Sequence, residues 1–375
     1  MDFDTLIDRR DTGSIKWNKY AGRDIIPMWV ADMDFRCPPS VLTALHQRID
    51  HGILGYSEPG EALVAAITCH ARTCHDWTIE PDWFVWLPGL VQGLNLACRS
   101  VGQAGDGVLC ATPIYPPFLS APGLAERTLI TVPLQQGNTR WSWDFAALES
   151  AVTEKTRLLL LCHPHNPVGR SWDDEELARL IDFSRRHDLV ICSDEIHCDL
   201  ILDRQRRHRP LAQMDREFAA RTITLMAPSK TWNLPGLGCS FALIPDPDLR
   251  QQFRRAMAGL TPSVNLLGLT AAEAAYRDDG GWRAELIDYL RGNRELLNAW
   301  LARSERLQWM PPEASYLAWI DARRLDPENP LRLFEQHGVG LSDGRDFGLP
   351  GFVRLNFGCP RPRLEEALGR LDPLR

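Results

Sequence analysis

Thr222-Ile223-Thr224-Leu225-Met226-Ala227-Pro228-Ser229-Lys230-Thr231-Trp232-Asn233 is the stretch whose reading decides the fold. It reads as a short apolar strand ending in a proline turn that delivers a lysine. Two upstream stretches share this form. His165-Asn166-Pro167-Val168-Gly169-Arg170 follows the apolar run 157–162, and Ser193-Asp194-Glu195-Ile196-His197 follows Leu189-Val190-Ile191-Cys192. Between them, Leu177, Leu180, Ile181 and Ser184 recur at helical spacing, and Ser171 with Asp174 resembles a capping start for a helix over 171–187. Strand, helix, strand at this length is a βαβ unit, so the sheet is expected to be mostly parallel. An asparagine, an aspartate and a lysine then stand at the carboxyl ends of strands, the edge where open α/β sheets bind ligands.

The rest of the chain is consistent with an α/β protein in two parts. It has 375 residues, 44% of them hydrophobic, which suits a large core usually divided between domains. Residues 1–45 carry mixed polar and turn signals and read as an arm. Residues 46–280 alternate helices with short apolar strands. After Gly280-Gly281 the sequence predicts a long helix from Trp282 to about Arg306, a strand at 315–320, a helix at 331–337 and a strand at 352–357. That mixed tail, 281–375, fits a smaller α+β domain.

Net charge is −7 and no long basic run is present, which argues against nucleic acid as a partner. The densest basic cluster, 204–209, reads as a solvated loop. No apolar stretch is long enough to span a bilayer, and Met1-Asp2-Phe3-Asp4 does not open a secretory signal, so a cytoplasmic protein without a membrane partner is expected. Ten scattered cysteines, several inside expected strands, read as small buried thiols. Cys69-His70-Ala71-Arg72-Thr73-Cys74-His75 offers potential metal ligands, but no partner pair stands at zinc-site spacing, and the stretch continues a helix whose stripe is Leu63, Ala66, Ile67 and His70. No metal is expected.

One cofactor requires the residues at the strand ends. Pyridoxal phosphate (pyridoxal 5'-phosphate) needs a lysine for its Schiff base and an acid against its pyridine nitrogen. With Pro27-Met28-Trp29-Val30-Ala31-Asp32-Met33-Asp34-Phe35, Gly55-Tyr56, Pro88-Gly89-Leu90-Val91, Tyr115-Pro116-Pro117-Phe118 and Val353-Arg354-Leu355-Asn356-Phe357, these stretches form eight motifs in order over nearly the whole chain. Together they resemble the fold-type I pyridoxal-phosphate enzymes of the aspartate aminotransferase superfamily, and within it the MalY/PatB-type cystathionine β-lyases, or C-S lyases. The resemblance implies a mostly parallel seven-stranded sheet sandwiched by helices, a smaller α+β domain, and an arm packing against the latter.

It also implies roles. Lys230 would carry the cofactor, Asp194 would face its pyridine nitrogen, and Asn166, with His197 nearby, would face its phenolic oxygen. Tyr115 would stack on the ring. Leu90 and Val91, at a helix start whose free N–H groups suit phosphate, would hold the phosphate with Ser229. Tyr56 would reach across a homodimer to the neighbouring subunit's phosphate, so that active sites are shared. Arg354 would grip the substrate carboxylate, with Ala31 and Asn166 on the substrate side. Taken alone, each residue has an ordinary alternative: a turn asparagine at 166, an N-cap at 194, a packed histidine at 197, a salt-bridged arginine at 354. Aspartate aminotransferases carry Ser-x-x-Lys and an arginine eight residues after the lysine; here those positions are Ala227 and Gly238. The subgroup's reaction is α,β-elimination from an amino-acid thioether such as L-cystathionine. Transamination on the same fold, or a regulatory protein-binding role, are the alternatives.

Overall fold

The computed structural model describes residues 1–278 and 280–375. Thr222–Met226 is a strand buried at every position, because it lies inside a sheet covered on both faces. Seven strands make that sheet, in the spatial order Phe84–Leu87, Ser240–Leu243, Thr222–Met226, Val190–Asp194, Thr156–Cys162, Gly107–Thr112 and Thr128–Pro133. From Thr222–Met226 outward to Thr128–Pro133 all neighbours are parallel. Ser240–Leu243 runs antiparallel to both of its neighbours. The fold is the α/β fold of the fold-type I pyridoxal-phosphate enzymes.

Residue alternation explains why both faces fill. Leu158 and Leu160 pack in one cluster with Leu94, Phe118 and Phe253 from helices. Leu159 and Leu161, one step away along the strand, pack in another with Leu177, Leu180 and Phe183. Successive strand side chains point to opposite faces, so an unbroken apolar run buries on both.

Beyond this sheet, Gln308–Trp309, Leu317–Asp321, Phe352–Asn356 and Ser342–Asp343 form a four-stranded antiparallel sheet. Helices Trp282–Leu301 and Arg361–Leu371 cover it through Leu286, Leu290, Leu297, Leu364 and Leu368. The amino-terminal arm joins this cluster through Phe3, Met28 and Met33, and its strand Ile26–Pro27 pairs in parallel with Val339–Gly340.

Several local expectations shift. The helix expected over 171–187 spans Asp174–Arg186, and its cap is Asp173 with Glu176, each bonding the other's backbone N–H. Ser171 is diverted instead: its N–H donates to Glu313 at 3.0 Å. The long helix stops at Leu301, because the Ser304 hydroxyl accepts the N–H of Leu307 at 2.9 Å and turns the chain. The basic cluster is only partly solvated. His208 is buried, with Nε2 2.7 Å from Glu195 Oε2, and Arg206 and Arg209 pair with Glu313 and Asp174. Among the described residues no helix is long and apolar enough to cross a membrane.

Candidate active site

A cavity of about 260 Å³ opens at the carboxyl ends of the parallel strands. Every sequence-predicted site residue lines it except Tyr56: Lys230, Asp194, Asn166, His197, Tyr115, Leu90, Val91, Ser229, Arg354 and Ala31. Strand termini explain the gathering. Cys162, Asp194 and Met226 end adjacent parallel strands, and each polar side chain stands at or just past such an end. Tyr56 is fully exposed, in a separate surface recess beside residues 262–267.

Asp194 is buried, and among the described residues the one hydrogen bond its carboxylate receives comes from the N–H of Ile196, at 3.1 Å to Oδ1. No helix follows, so it closes a turn and does not cap one. Burial pushes its carboxyl up to about 7, against the pull of the Ile196 N–H and of Lys230. Lys230 is half-buried, because the cavity admits water, yet protein surrounds it. Its Nζ donates to the Ala31 carbonyl at 2.7 Å. Burial, then the nearby Arg354, bring its ammonium down to about 8, although Asp32 and Asp194 oppose this. His197 is buried with Nδ1 unpartnered, and burial, then Lys230 and Arg354, hold it down to about 3, so it is neutral at pH 7.

Arg354 is the most informative side chain. It is buried, yet among the described residues no carboxylate lies within ion-pair reach of it. Nη1 donates to Asn166 Oδ1 at 3.0 Å, Nη2 donates to the Trp29 carbonyl at 2.9 Å and to Ser342 Oγ at 3.3 Å, and Nε has no partner. Among the described residues, then, Arg354 forms no salt bridge. Burial lowers its guanidinium to about 10, which leaves it charged at neutral pH. Because Asn166 gives its amide oxygen to Arg354, its amide NH2 is the end left for another acceptor.

The sequence did not announce the support behind Ala31. Tyr316 Oη also donates to the Ala31 carbonyl, at 3.1 Å, and Asn356 Nδ2 donates to the flanking Val30 and Asp32 carbonyls, at 2.7 Å each. Asn233, three residues after Lys230, donates to the Met33 and Phe35 carbonyls and accepts the Met33 N–H. The arm is thus tied to the lysine turn from both ends.

A phosphate-sized anion could be held at a helix start that faces the cavity. The Leu90–Ser100 helix begins at the cavity with no side-chain cap, so its first N–H groups are free. Gly238 stands beside it at φ +59°, and a Cβ there would sit 3.1 Å from the Pro88 carbonyl. A side chain would be strained at this position, where aspartate aminotransferases place an arginine. Lys230 and Arg354 are the only lysine or arginine lining the cavity among the described residues.

A buried aspartate, a lysine held near neutrality and a buried arginine without an ion pair among the described residues gather in one cavity at a sheet's carboxyl edge, the setting expected of an enzyme site. The model of the family "aminotransferase class I and II" matches residues 23–371, and the chain belongs to that family. It is 36% identical over 387 residues to cystathionine beta-lyase PatB of Bacillus subtilis (strain 168), with 99% of each chain covered. Among solved structures it is similar to OvoB, at a TM-score of 0.97 and 46% identity over 100% of this chain and 99% of that one. It is also similar to cystalysin from Treponema denticola, which contains a pyridoxal 5'-phosphate cofactor, at a TM-score of 0.95 and 32% identity over 100% and 98%.

Proposed function

We propose that this chain is a pyridoxal-phosphate-dependent carbon–sulfur β-lyase that cleaves cysteine thioethers, L-cystathionine first among them, to pyruvate, ammonia and a thiol. The observation that carries the proposal is Arg354: a buried guanidinium with no carboxylate partner among the described residues, at one side of a cavity that also holds Lys230 and Asp194. The full-length likeness to a cystathionine beta-lyase supports the reaction class.

The donor set fits the cofactor. Asp194, uncomfortable as a buried anion, gains a cationic partner in a protonated pyridine nitrogen. The free N–H groups of Leu90 and Val91, with Ser229, suit the phosphate. The Asn166 amide, with neutral His197 beside it, suits the phenolic oxygen, and Tyr115 suits the ring face. When bound, pyridoxal phosphate supplies an electron sink for the substrate Cα.

The chain's own residues do the rest. Arg354 binds the substrate α-carboxylate, with Asn166 and the Val30–Ala31 backbone closing that side. Lys230, as a free amine, would have an Nζ basic enough to take the Cα proton and acidic enough to return it near neutral pH. Tyr316 holds the Ala31 carbonyl where it meets Nζ, and Asn356 holds the flanking Val30 and Asp32 carbonyls, which together position Nζ for that proton transfer. Expulsion of a thiolate from Cβ completes elimination, and water then releases pyruvate and ammonia.

The exposure of Tyr56 supports a homodimer in which it completes the partner's phosphate site. The ten cysteines, all unpaired in the structure, support a reducing, cytoplasmic setting. The two sheets support a division into an arm (1–45), a large cofactor-binding domain (46–280) and a small domain (281–375). Purified protein given L-cystathionine should release pyruvate, ammonia and thiol in equal amounts without a keto-acid acceptor. Turnover that depends on added 2-oxoglutarate or pyruvate would make the chain an aminotransferase instead.

A further inference from the structure

The stretch Cys69–His75, unused by the chemistry above, gains a partner that lies far away in sequence. His70 and Cys74 are four apart on the Glu61–His75 helix, hence on one face. Cys74 Sγ lies 3.7 Å from His70 Nδ1, and His70 Nε2 lies 2.8 Å from Asp199 Oδ1. Arg283, from the Trp282–Leu301 helix, donates through Nη2 to Cys74 Sγ at 3.2 Å and through Nη1 to Asp199 Oδ1 at 2.9 Å. His75 approaches the same carboxylate, with Nε2 at 3.2 Å. It is buried, and beyond this approach neither ring nitrogen has a hydrogen-bond partner among the described residues. Cys198 Sγ donates to Asp199 Oδ2 at 3.7 Å, and Tyr276 packs edge-on against the His70 ring. Cys74 itself is exposed.

This is the order thiol, imidazole, carboxylate, with a guanidinium added at the thiol. A carboxylate bonded to the far nitrogen of an imidazole keeps that ring protonated, and a protonated ring beside a thiol favours the thiolate. Although burial opposes charge on His70, Asp199 raises it to about 10. Burial alone would raise Cys74, but His70, then Arg283, bring it down to about 7. Arg283 occupies the space between Asp199 and Cys74 with its own positive charge, so the cluster is arranged for a thiolate and not for a bound metal.

We propose that Cys74 is a reactive-thiol site that undergoes exchange with small disulfides. Its Sγ, as thiolate, attacks one sulfur of R–S–S–R. The Cys74–S–S–R bond forms, the original S–S bond breaks, and RS⁻ leaves with the electron pair. The disulfide is the oxidant, and no other co-reactant enters. None of Cys74, His70, Asp199 and Arg283 lines the cavity that holds Lys230.

The test uses the full-length holoenzyme and oxidised glutathione, with mixed disulfides located by peptide mass mapping over a range of pH. Exposed Cys69, in the same helix, is the internal control. Cys74 should be modified at least about tenfold faster than Cys69 near pH 7. Its rate should rise with a midpoint near 7, and His70→Gln should move that midpoint upward and lower the neutral-pH rate. Arg283→Gln should act in the same direction, and it serves if the histidine variant does not fold. Equal rates at Cys69 and Cys74, or a Cys74 rate that neither substitution changes, overturns the proposal.

Discussion

The arm clamp and the cavity meet on the same stretch of backbone, Val30 to Asp34, and treat charge in opposite ways. In the clamp every charge is matched. Arg9 bonds Asp32 and Asp34 at 2.7 Å each, Lys16 bonds Asp34 at 2.7 Å, and Trp17 Nε1 donates to Asp34 Oδ1 at 3.2 Å. In the cavity Asp194, Lys230 and Arg354 are buried or enclosed, and among the described residues no opposite charge is bonded to them. Unmatched buried charge is costly, so a fold keeps it where a ligand will match it. The charges of the clamp suit structure; those of the cavity suit charged ligand groups.

Substitutions in the two regions should therefore separate cleanly. The largest effect belongs to Lys230→Ala, which should lower turnover by at least about 10⁴-fold in a chain that still folds. Steady-state kinetics beside a thermal melt would show it. Asp34→Asn should do the reverse, leaving the chemistry in place while costing about 3–5 kcal/mol of stability, because Lys16 and Arg9 lose their shared anion. Although burial works against the anion, Lys16 and then Arg9 hold Asp34 below the ordinary carboxylate value. Its contribution is thus present above that ordinary value and is lost as pH falls through the depressed one. Denaturant melts in mild acid check this.

Asp194 should break the pattern in the informative direction. Its folded carboxyl titrates near 7 against an ordinary 3.8, so in cofactor-free protein the cost of its charge sets in as pH rises between those values. Asp194→Asn should then stabilise the cofactor-free chain above pH 7, by up to about 4 kcal/mol, and change little in acid. The same substitution should weaken the holoenzyme. A loss of stability in the cofactor-free variant at alkaline pH would show that Asp194 has a structural partner after all. Arg354→Ala should cost about 2–5 kcal/mol in kcat/KM on every amino-acid substrate. Cofactor retention should be unaffected, as an absorbance titration would report.

Much of the cavity was legible because its residues follow a local rule. Lys230, Asp194 and Asn166 each come directly after an apolar run, and parallel strands bring such run ends together. Arg354, inside a strand, was legible as a residue but not as unpaired; only the surrounding carboxylates, or their absence, decide that. Support for the backbone around Ala31 was not legible, since Tyr316 and Asn356 act on the carbonyls of Val30, Ala31 and Asp32, which no side-chain pattern marks. The Asp173 cap was missed because Ser171, the better-looking candidate, is drawn to Glu313, 142 residues away. Likewise His70 and Cys74 show their spacing, but their carboxylate comes from Asp199, 129 residues beyond His70.

The most direct measurement concerns lysine itself, of which the chain has only four: Lys16, Lys19, Lys155 and Lys230. Lys16 is buried against Asp34, and Lys19 lies over the Trp29 ring at 4.6 Å. Protein loaded with pyridoxal phosphate, reduced with borohydride and mapped by peptide mass should carry the pyridoxyl group on Lys230 and on no other lysine. Labelling at Lys16, Lys19 or Lys155 with Lys230 unmodified, or bound cofactor that labels none of them, would contradict the account.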